Sequence, residues 1–148
     1  MGQRQSDKGM EREKKVVLDA SVITKWYSKE RHSDLALRYK DMHVSGEKQI
    51  VEPSLLIYEV SNALNYNPNF TEVEVNQSLE ALLDLELKIM FPSKDSLAET
   101  IGMARKYGTS IYDSAYLALA KILDVKMITA DSKFWERIKH DPSASFLS

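Results

Sequence analysis

A single α/β domain built on a small, mostly parallel sheet is the fold class that the sequence predicts. Short apolar or β-branched runs near residues 16–20, 49–52, 88–91 and 126–129 alternate with longer stretches of helical periodicity. Two of those runs lead directly into an aspartate, Asp19 and Asp131. The length of 148 residues suits one domain with a real hydrophobic core.

In chain order, residues 1–14 are polar and charged and are expected to be a disordered leader, leaving 15–148 as the folded domain. Val16 to Ala20 form the first strand and its exit. Ser21 is the expected cap of a helix through about Tyr27. A second helix over about Ser33 to Met42 is broken by Gly46. Gln49 to Glu52 is a strand, and Pro53 suits the first turn of a helix reaching Asn65. Asn67-Pro68-Asn69 is a turn. Thr71 and Glu74 then have the spacing of a capping box on a helix to about Leu87.

Lys88 to Phe91 is a strand closed by Pro92, and Lys94 to Tyr107 is a helix stopped by Gly108. Ser110 to Leu123 is the most apolar helix. Lys126 to Thr129 is a strand, Asp131 opens a last helix to about Lys139, and 145–147 are expected to add an edge strand.

Composition excludes several classes. The hydrophobic fraction of 43% and charged fraction of 28% are ordinary for a soluble protein. No apolar run approaches the ~18 residues that span a bilayer, and the amino terminus has no apolar signal stretch. A cytoplasmic protein with no membrane partner is expected. The absence of cysteine removes disulfides, thiolate metal sites and thiol nucleophiles. A net charge of −2 lacks the basic excess of a generic nucleic-acid binder.

The chemistry lies in acids. Ligands of open parallel sheets bind outside the carboxyl ends of the strands. Asp19 and Asp131 follow strand ends. Asp113 lies in the first turn of a helix that must start at the same edge, and Glu59 lies within two turns of the start of another. Glu59 shares its helix flank with Leu55, Leu56 and Ala63, and Asp113 shares its face with Tyr116, Leu117 and Ala120. Carboxylates on such faces are expensive unless paired. Two of them ~5 Å apart repel by roughly 3 kcal/mol at an effective dielectric of ~20. Six such pairs rival a domain's net stability of about 5–15 kcal/mol. Protons or a cation must offset this. With no run of Arg or Lys beside the four positions, a hard cation such as Mg²⁺ or Mn²⁺ is the expected partner.

At these residues the sequence resembles the PIN-domain family, in particular the toxin subunits of VapBC toxin–antitoxin pairs. The stretches that carry the resemblance are VVLDASVITKWY (16–27), EPSLLIYEVSNAL (52–64), SIYDSAYLALA (110–120) and ITADSKF (128–134). The resemblance implies a three-layer α/β/α domain with a small parallel sheet. It implies Asp19, Glu59, Asp113 and Asp131 as catalytic, metal-site acids, with Ser21 and Thr129 as small polar neighbours. It further implies homodimerisation, Mg²⁺- or Mn²⁺-dependent cleavage of RNA, and a cognate antitoxin that blocks the site. Glu59 is left open between a base that orients water and an outer ligand, and the number of ions is open as well.

Each acid also has a plainer reading. Asp19 and Asp131 suit helix caps, Asp113 suits a capping box with Ser110, and Glu59 suits a hydrogen bond to Tyr58 or Asn62. Convergence of the four favours the functional reading. Trp26, Trp135 and Tyr116 are assigned to the core. Lys25, Lys29, Arg31, Lys133 and Arg137 are assigned to solvated surface, with guidance of RNA phosphates as the alternative. His32, His43 and His140 have no partner at ligand spacing. The apolar surplus on the helix of Val73, Val75, Leu79, Leu82, Leu83 and Leu85 is open between core packing, a dimer surface and an antitoxin groove.

Among rival functions, a haloacid-dehalogenase-like phosphatase wants a second aspartate where Ser21 stands. A response-regulator receiver wants an acid pair nearer Asp19 than residues 11–13. A DNA or flap-type nuclease shares the metal chemistry but lacks an obvious DNA-clamping segment here. A PIN-like module that binds RNA or protein without cutting is the non-enzyme alternative.

Overall fold

The computed structural model describes residues 14–148. The leader expected over 1–14 lies outside the described residues except for Lys14. Five strands, β1 (Lys15–Leu18), β2 (Gln49–Pro53), β3 (Lys88–Met90), β4 (Lys126–Thr129) and β5 (Ala144–Phe146), pair in the order β3-β2-β1-β4-β5. Every pairing is parallel. Seven helices are described: α1 (Ala20–Thr24), α2 (Ser33–Ser45), α3 (Leu56–Asn65), α4 (Glu72–Asp84), α5 (Lys94–Tyr107), α6 (Ile111–Leu123) and α7 (Ser132–Ile138).

Val17 and Leu18 are consecutive and both fully buried, which requires cover on both faces of β1. Right-handed crossovers supply it. The chain moves from β1 outward to β2 and β3, then returns past β1 to β4 and β5. The two directions of travel put α1 to α4 on one face and α5 to α7 on the other. Observed packing agrees: α1 meets α3, α3 meets α4, and α5 lies along α6. Helix α6 crosses β1, β2 and β4, and Tyr116 to Ala120 are all buried on it. Its central position explains why the sequence there is almost free of polar residues.

Local signals set most boundaries. The Thr71–Glu74 capping box forms with both of its bonds. Gly46 and Gly108 end α2 and α5 in the left-handed region, although α2 runs past Met42 to Ser45. Three expectations are corrected. Pro53 closes β2 instead of opening a helix; it is paired with Met90, and the Ser54 amide next to it donates to the Met90 carbonyl at 3.1 Å. A proline is tolerated at a strand end. Helix α4 stops at Asp84, short of Leu87, because Glu86 turns into the left-handed region. Helix α1 starts at Ala20 and ends at Thr24. The chain continues to Tyr27 as tighter turns, with Trp26 N donating to Ile23 O at 2.9 Å.

Gly108 joins α5 to the start of α6, where Asp113 sits. Its φ is +67°, and an added Cβ would stand 3.4 Å from Arg137 Nη1. Space is sufficient, so backbone strain dominates. Gly108→Ala is expected to cost about 1 kcal/mol and lower Tm by about 3 °C. A calorimetric scan checks this, and an unchanged Tm would refute it.

Candidate active site

The strand order reverses between β1 and β4, so a crevice opens between their carboxyl ends. Asp19 stands at its floor. Its amide donates to the Ile128 carbonyl at 2.9 Å, which keeps it tied to β4. Asp19 is the N-cap of α1 by position, yet its side chain makes no capping bond. Oδ2 instead accepts from Ser21 Oγ at 2.7 Å and Thr129 Oγ1 at 2.9 Å. Ser21 is therefore not the expected helix cap, because its hydroxyl is committed to Asp19. The same two hydroxyls accept from the next turn: Ala130 N reaches Ser21 Oγ at 2.9 Å and Asp131 N reaches Thr129 Oγ1 at 3.1 Å.

Asp131 does cap its helix. Its Oδ1 accepts from Lys133 N at 2.9 Å and Phe134 N at 3.1 Å. Asp113 donates its amide to the Ser110 hydroxyl at 3.0 Å, while its half-buried carboxylate faces a cleft. Glu59, on α3, accepts from the Tyr116 hydroxyl at 2.5 Å through Oε1. Neither Tyr58 nor Asn62 is its partner. All four acids line one cleft of about 420 Å³, together with Ser21, Thr24, Lys25 and Glu30.

Proximity has an electrostatic cost. Asp19 is 4% exposed. Burial pushes its carboxyl up to about 6; the Ser21 and Thr129 bonds oppose this, while Asp113 and Glu59 add to it. Burial also raises Glu59, against the Tyr116 bond and reinforced by Asp113. Asp113 is raised by burial and by the charge of Asp131. The four acids thus form one interacting group.

Sequence reasoning missed the partners of two residues here and favoured plain surface for a third. Tyr116 is a core residue as expected, 0% exposed, but its hydroxyl holds a site acid. A tyrosine one helical turn from Asp113 on an otherwise aliphatic face was the available signal. Lys25, assigned to surface, is a cationic member of the cleft lining, with Nζ on the Arg31 carbonyl at 2.9 Å. Glu52 lies wholly buried in β2 with one oxygen on the Leu18 amide. A carboxylate in a strand core was its signal. His43 bonds the Ile50 amide and the Leu85 carbonyl with its two ring nitrogens, so neither nitrogen is available to a metal.

The donor set suits a hard cation, being all carboxylate and hydroxyl oxygen. Among the described residues, no three His, Asp or Glu side chains stand close enough together to grip an ion. An ion that keeps part of its water shell, as Mg²⁺ does, would suit carboxylates spaced in this way.

A small all-parallel α/β/α fold with an acid-lined cleft at its switch point is the class that this geometry defines. A family model described as PIN domain matches residues 16–140, and the chain belongs to the PIN-domain family. Ribonuclease VapC3 of Pyrobaculum aerophilum is 32% identical over 127 residues, 83% of this chain and 94% of the relative. Among solved structures, a toxin–antitoxin complex from Klebsiella pneumoniae is similar with a TM-score of 0.67 at 16% identity, over 88% of this chain and 95% of that one. VapC20 of Mycobacterium tuberculosis, described as a sarcin–ricin loop cleaving toxin, is similar with a TM-score of 0.62 at 12% identity, over 82% and 93%. No helix among the described residues is long and apolar enough to cross a membrane.

The raised acids set a pH dependence. Between 3.8 and about 6 the folded protein holds a proton on Asp19 that the unfolded chain has released, so stability is lost as pH rises through that window. A rise from 3.8 to about 6 corresponds to about 3 kcal/mol at neutral pH. In EDTA, the urea midpoint is expected to rise between pH 7 and pH 5, and Asp19→Asn to remove most of that rise. A midpoint that falls on acidification would contradict the electrostatic account.

Proposed function

We propose that this chain is a divalent-metal-dependent endoribonuclease, acting through one domain over residues 15–148, and the toxin of a toxin–antitoxin pair. The observation that carries the reading is the meeting of four carboxylates from four distant segments in one cleft of a PIN-domain chain. A full-length relative that is a ribonuclease by name supports the substrate class.

Asp19, Asp113 and Asp131 are the residues that would hold Mg²⁺ or Mn²⁺, directly or through water. A bound ion of this kind supplies a polarised phosphodiester oxygen and a water of lowered pKa. Ser21 and Thr129 orient Asp19 and occupy one of its oxygens. Glu59, held at one oxygen by Tyr116, serves as the base that orients the attacking water or as an outer ligand. Lys25 offers a positive charge to the RNA backbone at the cleft lip.

Cleavage of a panel of structured and single-stranded RNAs with Mn²⁺, with Mg²⁺ and with EDTA tests this. Metal-dependent cleavage that falls by about 100-fold or more in Asp113→Asn is the expected outcome. Equal cleavage by both proteins would sink the assigned site. RNA binding without cleavage would favour the non-catalytic module instead.

The partners proposed are RNA, an antitoxin that blocks the cleft, and a second copy of the chain. The similar Klebsiella structure is a toxin–antitoxin complex by its description, which supports the antitoxin. Apolar side chains left at the surface support the homodimer: Phe91 is 78% exposed, beside Tyr112, Leu97 and Ile122 along a groove of about 460 Å³. Phe91→Asp is expected to shift the sedimenting species from dimer to monomer while the single chain stays folded, because Phe91 is exposed in it. A dimer that survives the substitution would exclude this groove as the interface.

A further inference from the structure

Beneath the cleft lies a carboxyl group to which the proposed chemistry gives no task. Glu52 is 0% exposed, at the carboxyl end of β2. Its neighbours Ile50, Val51 and Pro53 are buried as well, so an aliphatic side chain is the default for this position. Oε1 accepts from the Leu18 amide at 2.7 Å. Oε2 is buried and has no hydrogen-bond partner. A carboxyl retained in such a place at such a cost calls for a reason.

Register supplies one. The β1–β2 seam pairs Lys15 with Gln49 and Val16 with Ile50. Two residues further along, the same register sets Leu18 beside Glu52. The Asp19 amide is turned to β4, where it donates to Ile128, so by strand alternation the Leu18 amide is turned to β2. Glu52 meets it there and carries the seam to the last residue before Asp19. On the opposite side, Ser21 and Thr129 hold the Asp19 carboxylate itself. The residue that the cleft depends on is thus fixed from both neighbouring strands.

We infer that Glu52 is a positioning residue for Asp19: its side chain takes the Leu18 amide and sets where the chain leaves β1 to present Asp19 to the cleft. The inference rests on the metal-site reading of the cleft. The surroundings of Glu52 favour the neutral form of the acid. Burial holds its carboxyl well above the usual range, and Asp19 adds to the rise while the Leu18 bond opposes it. The neutral form adds no further negative charge behind the acids, yet its carbonyl oxygen still accepts the amide.

The test compares Glu52→Gln with Glu52→Leu by Mn²⁺ titration and by amide exchange in the metal-free protein. Gln retains a neutral acceptor, so Mn²⁺ affinity within about twofold of the unsubstituted protein and a protected Leu18 amide are expected. Leu removes the acceptor. Exchange at Leu18 is then expected to quicken at least tenfold and Mn²⁺ affinity to fall by about tenfold, with α5 amides unaffected. If Glu52→Leu does not fold, Glu52→Asp is one methylene too short for the same bond and is expected to behave likewise. A folded Leu or Asp variant that binds Mn²⁺ like the unsubstituted protein overturns the inference alone. A Gln variant as impaired as Leu overturns the neutral-acceptor account. An unsubstituted protein that binds no Mn²⁺ overturns the metal reading of the cleft and this inference with it.

Discussion

Carboxylates from the end of β1, from α3, from α6 and from the start of α7 share a crevice that burial has partly closed to water. Each charge there raises the cost of the others. Nothing in the core requires acids at this edge. The hydrophobic centre built on Val17, Leu18, Ile128 and Leu117 would be as well covered without them. Concentrating them at the switch point costs stability, and the surrounding hydrogen bonds determine how much of that cost the fold can carry.

Those bonds are economical. Two hydroxyls, Ser21 and Thr129, hold one oxygen of Asp19 while accepting amides from the turn after β4. The two central strands are therefore joined past their last backbone pairing. A short hydroxyl at each place is required, since a longer side chain would not serve both bonds. Tyr116 spans from the core to Glu59 in a similar way: its ring fills a layer of α6 packing and its oxygen fixes a site acid.

Much of this was legible in the sequence, because the strands carrying Asp19 and Asp131 are β-branched runs ending in an acid, and because Gly46, Gly108 and the Thr71–Glu74 pair mark helix ends by simple chemistry. That the four acids meet at one edge was legible from the same topology, together with the resemblance carried by the stretches around them. Side-chain partnerships were not. Ser21 looked like a helix cap because capping is a local pattern, whereas its hydroxyl donates to Asp19 and accepts from the Ala130 amide, 109 residues away. Pro53 suits a strand end as well as a first helical turn, and only its pairing with Met90 decides between them. Glu52 was passed over because burial cannot be read from one residue's type, and the Tyr116 hydroxyl because its partner Glu59 lies 57 residues away.

The two outermost strands are only three residues long, and Pro92, which has no amide hydrogen, follows β3 two residues on. Unpaired backbone on a sheet margin is an invitation to another chain, and short margins withdraw it. A continuous sheet running from one molecule into the next is thereby discouraged. Any self-association would then fall to side chains and not to backbone pairing along the sheet margin.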